Sequence, residues 1–437
     1  MEARKIIAPL SALALIGGLG GIIAYGTHPL GTKAVAHSYV TPQRGPTFTA
    51  CAPTGGKGKA VIAGITQQGT PARVLVNGKE VEAEAPAGAI LQAPPSNGKA
   101  AVAVGLQSNT PKAFSTCESP RTSMWLLGGA TTTGTDSTLL LANPSEEDST
   151  VTIEAFSKTG PVDLVSSRVS LPAGQTVTVP LAGLAPEEER VSLHLTATGA
   201  GVSAWLQQSM TKGLNDLGAE VTEAAEGPDM TNLIPGVGFA DAQLQITNPA
   251  NKAIHAQVYK AEGDERIPVP GGKVTVEPGA VAEISLAGLG QGRGTVQVLS
   301  DKPVLAAVRE RQDKDFTWTT ARAAAKDGIL IVPKGAQIYA SANADGVVEF
   351  RGAGQTPKKL KVPALKSASV ALPEGTWQWK SDGPVAITAV VSKSAISTFT
   401  SSRSARELTA IGVKSVRVKP RIYISGGNSQ CRGDLVY

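Results

Sequence analysis

Along the middle of the chain, apolar and polar residues alternate. Val151, Ile153 and Ala155 take one phase and Thr152 and Glu154 the other. Similar runs follow at Val177/Val179/Leu181, Val191/Leu193/Leu195 and Val202/Ala204/Leu206. Successive side chains of a strand point to opposite faces, so each run predicts an antiparallel strand with one buried face. Asn-Pro, Pro-x-Gly and Thr-Gly turns separate the runs. About seven strands in roughly 85 residues suit an immunoglobulin-like sandwich.

The plan occurs twice. Asn143-Pro144, Gly174 and Leu181-Ala-Gly-Leu184 return as Asn248-Pro249, Gly279 and Leu286-Ala-Gly-Leu289, each 105 residues on. A fixed period marks one supersecondary unit used again. Ser341-Ala-Asn343, Pro373-Glu-Gly375 and Gly383-Pro-Val385 read as a third, shorter and diverged copy, with Trp377 and Trp379 on one face of a strand. A β-propeller is the alternative, since 105 residues could hold two blades, but neither copy has a half-period of its own.

Ahead of these copies, Val61-Ile-Ala63, Arg73-Val-Leu-Val76, Asn77-Gly78 and Lys79-Glu-Val81 describe a smaller unit with a hairpin, Asn-Gly being the preferred pair for a type I′ turn. Cys51 and Cys117 bracket it. Three cysteines allow three single pairings, and the bracketing favours Cys51–Cys117, leaving Cys431 as an unpaired thiol. A bridge implies an oxidising compartment.

The start of the chain fits that compartment. Ile6 to Tyr25 is an apolar run long enough to cross a bilayer, and Arg4 and Lys5 before it predict a cytoplasmic N-terminus with the rest of the chain outside the cell membrane. Ala34-Val-Ala36 has the form of a signal-peptidase site but lies well past the run, so an uncleaved signal anchor is preferred. Gly17 and Gly21 give the helix a small face on which a partner helix could pack. The expected organisation is a cytoplasmic stub (1–5), a transmembrane signal anchor (6–25), a tether (26–50) and an N-terminal β unit (51–123). Then come repeat 1 (124–212), a surface linker (213–232), repeat 2 (233–325), a shortened repeat 3 (326–395) and a basic tail (396–437). The fold class is all-β, as tandem immunoglobulin-like sandwiches behind a single N-terminal transmembrane helix.

Composition agrees. With 48 glycines, 29 prolines and only 4% aromatics, the chain suits many short strands joined by turns. The net charge of +5 is uneven: residues 326–437 carry 16 Lys and Arg against 7 Asp and Glu. A basic C-terminal third suggests an anionic partner, with Lys358, Lys359, Lys361, Arg417, Lys419 and Arg421 as the contacts.

Catalytic and metal motifs are missing. None of the four histidines pairs at ligand spacing, and His194 and His255 fall on outward phases as ordinary surface residues. Gly55-Gly-Lys-Gly58 and Gly288 to Gly294 lack the Gly-Lys-Ser/Thr of a phosphate loop and read as hairpin loops. Ser209-Met-Thr-Lys212, Ser341-Ala-Asn343 and Lys158-Thr-Gly160 mimic penicillin-recognising enzymes, but in the wrong order and on the wrong elements. Arg432-Gly-Asp434 is a bare tripeptide. No cofactor, metal or nucleic-acid partner is expected.

Leu141-Ala-Asn-Pro144, Val169 to Gly174, Leu-Ala-Gly-Leu and Pro303 to Arg311 together resemble an uncharacterised family of secreted or membrane-anchored tandem β-repeat proteins from high-GC Gram-positive bacteria. The resemblance implies an envelope location, beside cell-wall glycosyltransferase machinery, and carries over no catalytic residue. The function expected is therefore a non-catalytic membrane-anchored envelope protein that binds or scaffolds a partner. The partners expected are membrane lipid through the N-terminal helix, a multi-span membrane protein such as a cell-wall glycosyltransferase, and an anionic envelope polymer. The alternatives are a glycan-active enzyme using a carboxylate pair between modules, and a surface adhesin or coat protein.

Overall fold

The computed structural model describes residues 45–403 apart from 55–57, 67–68, 109–112, 226 and 393–395. The anchor residues Gly17 and Gly21, the thiol of Cys431 and the tail residues Arg417, Lys419 and Arg421 lie outside them. Among the described residues the fold is all-β, and no helix there is long and apolar enough to cross a membrane. Sheets pair around separate apolar cores in nearly closed, barrel-like bodies.

The N-terminal body has two four-stranded sheets. Thr47–Ala50, Ile90–Ala93, Val74–Val76 and Lys79–Val81 form one; Glu84–Pro86, Lys59–Thr66, Ala101–Ser108 and Phe114–Thr116 form the other. Asn77 and Gly78 both take positive φ, +50° and +75°, as the tight hairpin turn requires. Cys51 and Cys117, 66 residues apart, form a disulfide buried in this core. Gly105 is the seat of the bridge, since a Cβ there would lie 2.5 Å from Cys117 Sγ.

The first copy of the 105-residue signature also has two sheets. In one, Thr176–Pro180, Thr135–Ala142, Ser203–Lys212 and Asn215–Glu223 lie side by side. In the other the order is Gly160–Val162, Ser149–Ser157, Val191–Ala197 and Ser123–Gly129. Val151, Ile153 and Ala155 point into the shared core with Leu139, Leu141, Leu193, Leu195 and Leu206. Each of the Val, Ile and Leu side chains contributes roughly 1.5–3 kcal/mol by leaving water. Leu181–Gly183 is a single tight helical turn that tucks Leu181 and Leu184 under the sheet edge.

The second copy repeats the pairing. Leu141 faces Ala204 and Ile153 faces Leu195, as Ile246 faces Ala306 and Val258 faces Val298. Beyond the Leu-Ala-Gly-Leu turn the offset between copies therefore falls from 105 to 103 and then 102 residues. The Asn-Pro corners explain their own recurrence. Asn143, fully buried, donates its amide to Glu147 O (2.8 Å) and Leu171 O (3.0 Å) and accepts from Ser145 N (3.1 Å). Asn248 does the same with Lys252 O (2.8 Å), Val276 O (2.9 Å) and Ala250 N (2.9 Å). One side chain thus satisfies two loops that would otherwise bury bare carbonyls.

Residues 213–232, expected to be a surface linker, instead hold the whole strand Asn215–Glu223 and the start of a second, Asp229–Gly238. Glu220 and Glu223, two of the acidic residues in that stretch, are buried (1% and 5% exposed). Their partners come from distant chain: Thr317 for Glu220, and Thr116, Arg322 and Thr400 for Glu223.

The bodies share cores. Trp125, Leu127, Leu305, Ala307, Phe316 and Trp318 join the two copies. Ala50, Ala52, Leu140, Trp205 and Val221 join the N-terminal body to the first copy. Val102, Val104 and Leu106 of that N-terminal body pack with Ile329, Val348, Phe350, Trp377 and Trp379 of the third unit. Among the described residues, contacts thus run from each body to the next, strand Asp229–Gly238 touching the third unit, and back to the first.

Candidate functional site

The lysines singled out in the sequence fall on an edge. Lys358–Val362 is the outermost strand of the sheet ordered next through Gly346–Gly352, Gly375–Val391 and Ala325–Val332. Lys359 and Lys361 occupy one phase, outward and exposed; Leu360 and Val362 occupy the other, toward the core. Lys358 shares the inward phase but is exposed at the strand's start, so the three lysines do not form one stripe. Register adds residues that the sequence reading missed. Lys359 stands beside Glu349, Glu349 beside Lys380, and Lys380 beside Asp327, giving a row of alternating sign across four strands. Arg351 lies two residues along from Glu349 and donates Nε to its carboxylate at 3.0 Å. That hydrogen bond holds the partly exposed Glu349 carboxyl below its usual range. The only signal for Arg351 and Lys380 in the sequence is their strand phase, which becomes useful once the strand order is known.

The centre of that row is self-neutralised, and Lys361, opposite Val347, is left without an acidic neighbour in register at its rim. An edge strand leaves backbone donors and acceptors unpaired, and charged side chains there discourage docking of another strand.

Where the bodies meet, Arg322 is the hub. Its Nη1 donates to Glu118 Oε1 at 2.9 Å, Glu223 Oε2 at 3.2 Å and Thr400 Oγ1 at 2.7 Å. Arg121 holds the other side of Glu118 at 2.8 Å. Glu223 also accepts from Thr116 N and Oγ1, at 3.0 and 2.7 Å. Burial pushes the Glu118 carboxyl up, but Arg322 and Arg121 outweigh it and hold the carboxyl below its usual range. These groups come from all four bodies, so the network fixes their placement. Both carboxylates are committed to guanidinium groups and do not stand open to a sugar ring.

Beside Arg322 opens a cleft of about 60 Å³ lined by Leu233, Pro235, Thr320, Asp327, Trp379 and Ser401, among others. Trp379 Nε1 and Thr320 Oγ1 are buried there without a protein partner among the described residues. A cleft of that size has room for water, which can hydrogen-bond to both groups.

A second buried acid, Glu220, accepts from Thr317 Oγ1 at 2.7 Å and from Val221 N at 2.8 Å. Burial, with a lesser push from Asp315 against these hydrogen bonds, holds its carboxyl well above the usual range. Among the described residues no cluster of three or more His, Cys, Asp or Glu could hold a metal ion.

A family described as one of unknown function (DUF5719) matches residues 66–373, from the N-terminal body through the third unit. No curated protein matches the chain.

Proposed function

The chain belongs to the DUF5719 family of unknown function, and on that premise we propose that it is an extracytoplasmic binding body of the cell envelope. In this reading residues 6–25 anchor it in the cell membrane with the N-terminus cytoplasmic. The folded bodies are immunoglobulin-like sandwiches, a reading that rests on two facing sheets per core. The Gly17/Gly21 face meets a multi-span membrane partner, such as a cell-wall glycosyltransferase. The basic rim at Lys358, Lys359 and Lys361 meets an anionic polymer, with Arg417, Lys419 and Arg421 of the tail extending the contact.

The observation that carries the proposal is the Arg322 hub. Four bodies fixed by one buried network form a rigid support, which suits holding a partner in place better than flexing around one. The test is retention of the full-length protein on immobilised polyphosphate over a salt gradient. Wild type should elute earlier as salt rises, because exposed charges are screened over about 8–10 Å. Charge reversal at the six basic positions should abolish retention. Salt-independent retention, or retention that survives the reversal, overturns the reading.

A further inference from the structure

The outer face of the first copy carries a hydrogen-bonded chain with no counterpart in the second. Strands Ser149–Ser157, Val191–Ala197 and Ser123–Gly129 lie side by side, with Glu154 opposite His194 and His194 opposite Trp125. Ser123, opposite Thr196, is two residues from Trp125 on the same phase. Across this row Glu154 Oε2 lies 2.7 Å from His194 Nδ1, and His194 Nε2 lies 3.1 Å from Ser123 Oγ.

The chemistry of the groups sets the direction of these bonds. An ionised carboxylate only accepts, so Nδ1 must carry hydrogen. In the neutral ring Nε2 is then the acceptor, and the Ser123 hydroxyl donates to it. The ring is held from its face as well: the Trp125 indole stacks on His194 with centroids 4.4 Å apart and planes 17° from parallel. Trp125 is itself fixed, 6% exposed within the core that joins the two copies. A hydroxyl within reach of an imidazole, oriented in turn by a carboxylate, is the arrangement that activates a serine nucleophile, and it is recognised by geometry whatever the chain order.

We propose that Ser123 is an activated nucleophile that cleaves carboxylic esters, with His194 as general base and acid and Glu154 as the positioning residue. Ser123 Oγ attacks the acyl carbon and its proton passes to His194 Nε2. The bond to the leaving alkoxide breaks, and the alkoxide takes that proton from His194. Water then attacks the acyl-serine, giving its proton to His194, and the carboxylic acid leaves as Ser123 recovers the proton. Trp125 N–H donates to Ala225 O and Thr122 O accepts from Ala197 N, so the backbone around Ser123 serves strand pairing. The developing oxyanion therefore faces water, and the substrates favoured are esters with good leaving groups. This activity is independent of the polymer-binding reading.

The test uses the full-length protein and p-nitrophenyl acetate, reading p-nitrophenolate release and the acetylated residue by peptide mass spectrometry. Wild type should be acetylated at Ser123. Ser123→Ala should abolish the modification, and since Ser123 is exposed this variant should fold normally. His194→Ala should slow acetylation by roughly 100-fold or more, with added imidazole restoring part of the rate. Glu154→Gln should slow it about tenfold, a tenth of that assigned to the base, and Glu154→Asp should regain most of the loss. Acetylation confined to lysines, or of Ser123 at an unchanged rate in His194→Ala, overturns the proposal.

Discussion

The same three-strand row occurs on the outer face of both copies, filled with different chemistry. In the second copy Tyr259 pairs with Gln297 and Gln297 with Leu233, at the places of Glu154, His194 and Trp125. Gln297 is fully buried. Its Oε1 accepts from Arg266 Nε at 2.7 Å, and its amide donates to Leu365 O of the third unit at 2.6 Å. There the row is a joint between bodies. In the first copy the row lies at the rim of the corresponding joint, where Ser123 is exposed and the His194 side chain keeps 20% of its surface. The frame does not need a histidine there, so the differences between copies, not the shared signature, are where chemistry should be sought.

Perturbing the frame itself should have the largest effects. Replacing Arg322 with methionine leaves Glu118 and Glu223 buried with their shared cation gone, and breaking a buried ion pair in this way costs about 3–5 kcal/mol. Urea unfolding should show that loss; a change below about 1 kcal/mol would mean the hub is dispensable. Next come the repeated corners. Asn143→Ala strands two carbonyls and Asn248→Ala three, Glu277 O (3.0 Å) being the third, and each should cost about 1–3 kcal/mol. Because the corner geometry recurs and each side chain has one bond that the other lacks, the two costs should be of similar size by thermal unfolding. A large disparity would mean that the copies are not equivalent frames.

A smaller effect distinguishes buried acids by pH. Glu220 has a folded-state pKa raised by burial, so its contribution to stability is fully present below its unfolded value and is lost as pH rises through the folded one. Glu220→Gln should therefore be more stable than wild type at neutral pH, with the advantage shrinking toward pH 4. Parallel stability curves for the two proteins would contradict the assignment.

What the sequence disclosed was local. Alternation at Val151, Ile153 and Ala155 identified strand faces, Asn77-Gly78 a turn, and the Asn-Pro corners a shared design. It failed where a residue's meaning depends on partners far along the chain. Glu220 and Glu223 look like linker acids until Thr317, Arg322 and Thr400 are brought beside them. Alternation puts His194 on the outward phase, yet its neighbours Glu154 and Ser123 lie 40 and 71 residues away and are joined to it only by strand order. Lys380 and Arg351 entered the basic face by the same route. Local composition cannot encode register between strands that distant segments supply.

The central claim, that the shared frame is structural and the row on the first copy is chemical, can be tested by turning one row into the other. A variant carrying Ser123→Thr, Glu154→Tyr and His194→Gln gives the first copy side chains that the second already bears at those places. Unfolding temperature and acetylation by p-nitrophenyl acetate would be read on the same sample. Unfolding within a few degrees of wild type and no acetylation at position 123 are expected. A collapse in stability, or acetylation there at the wild-type rate, would contradict the claim.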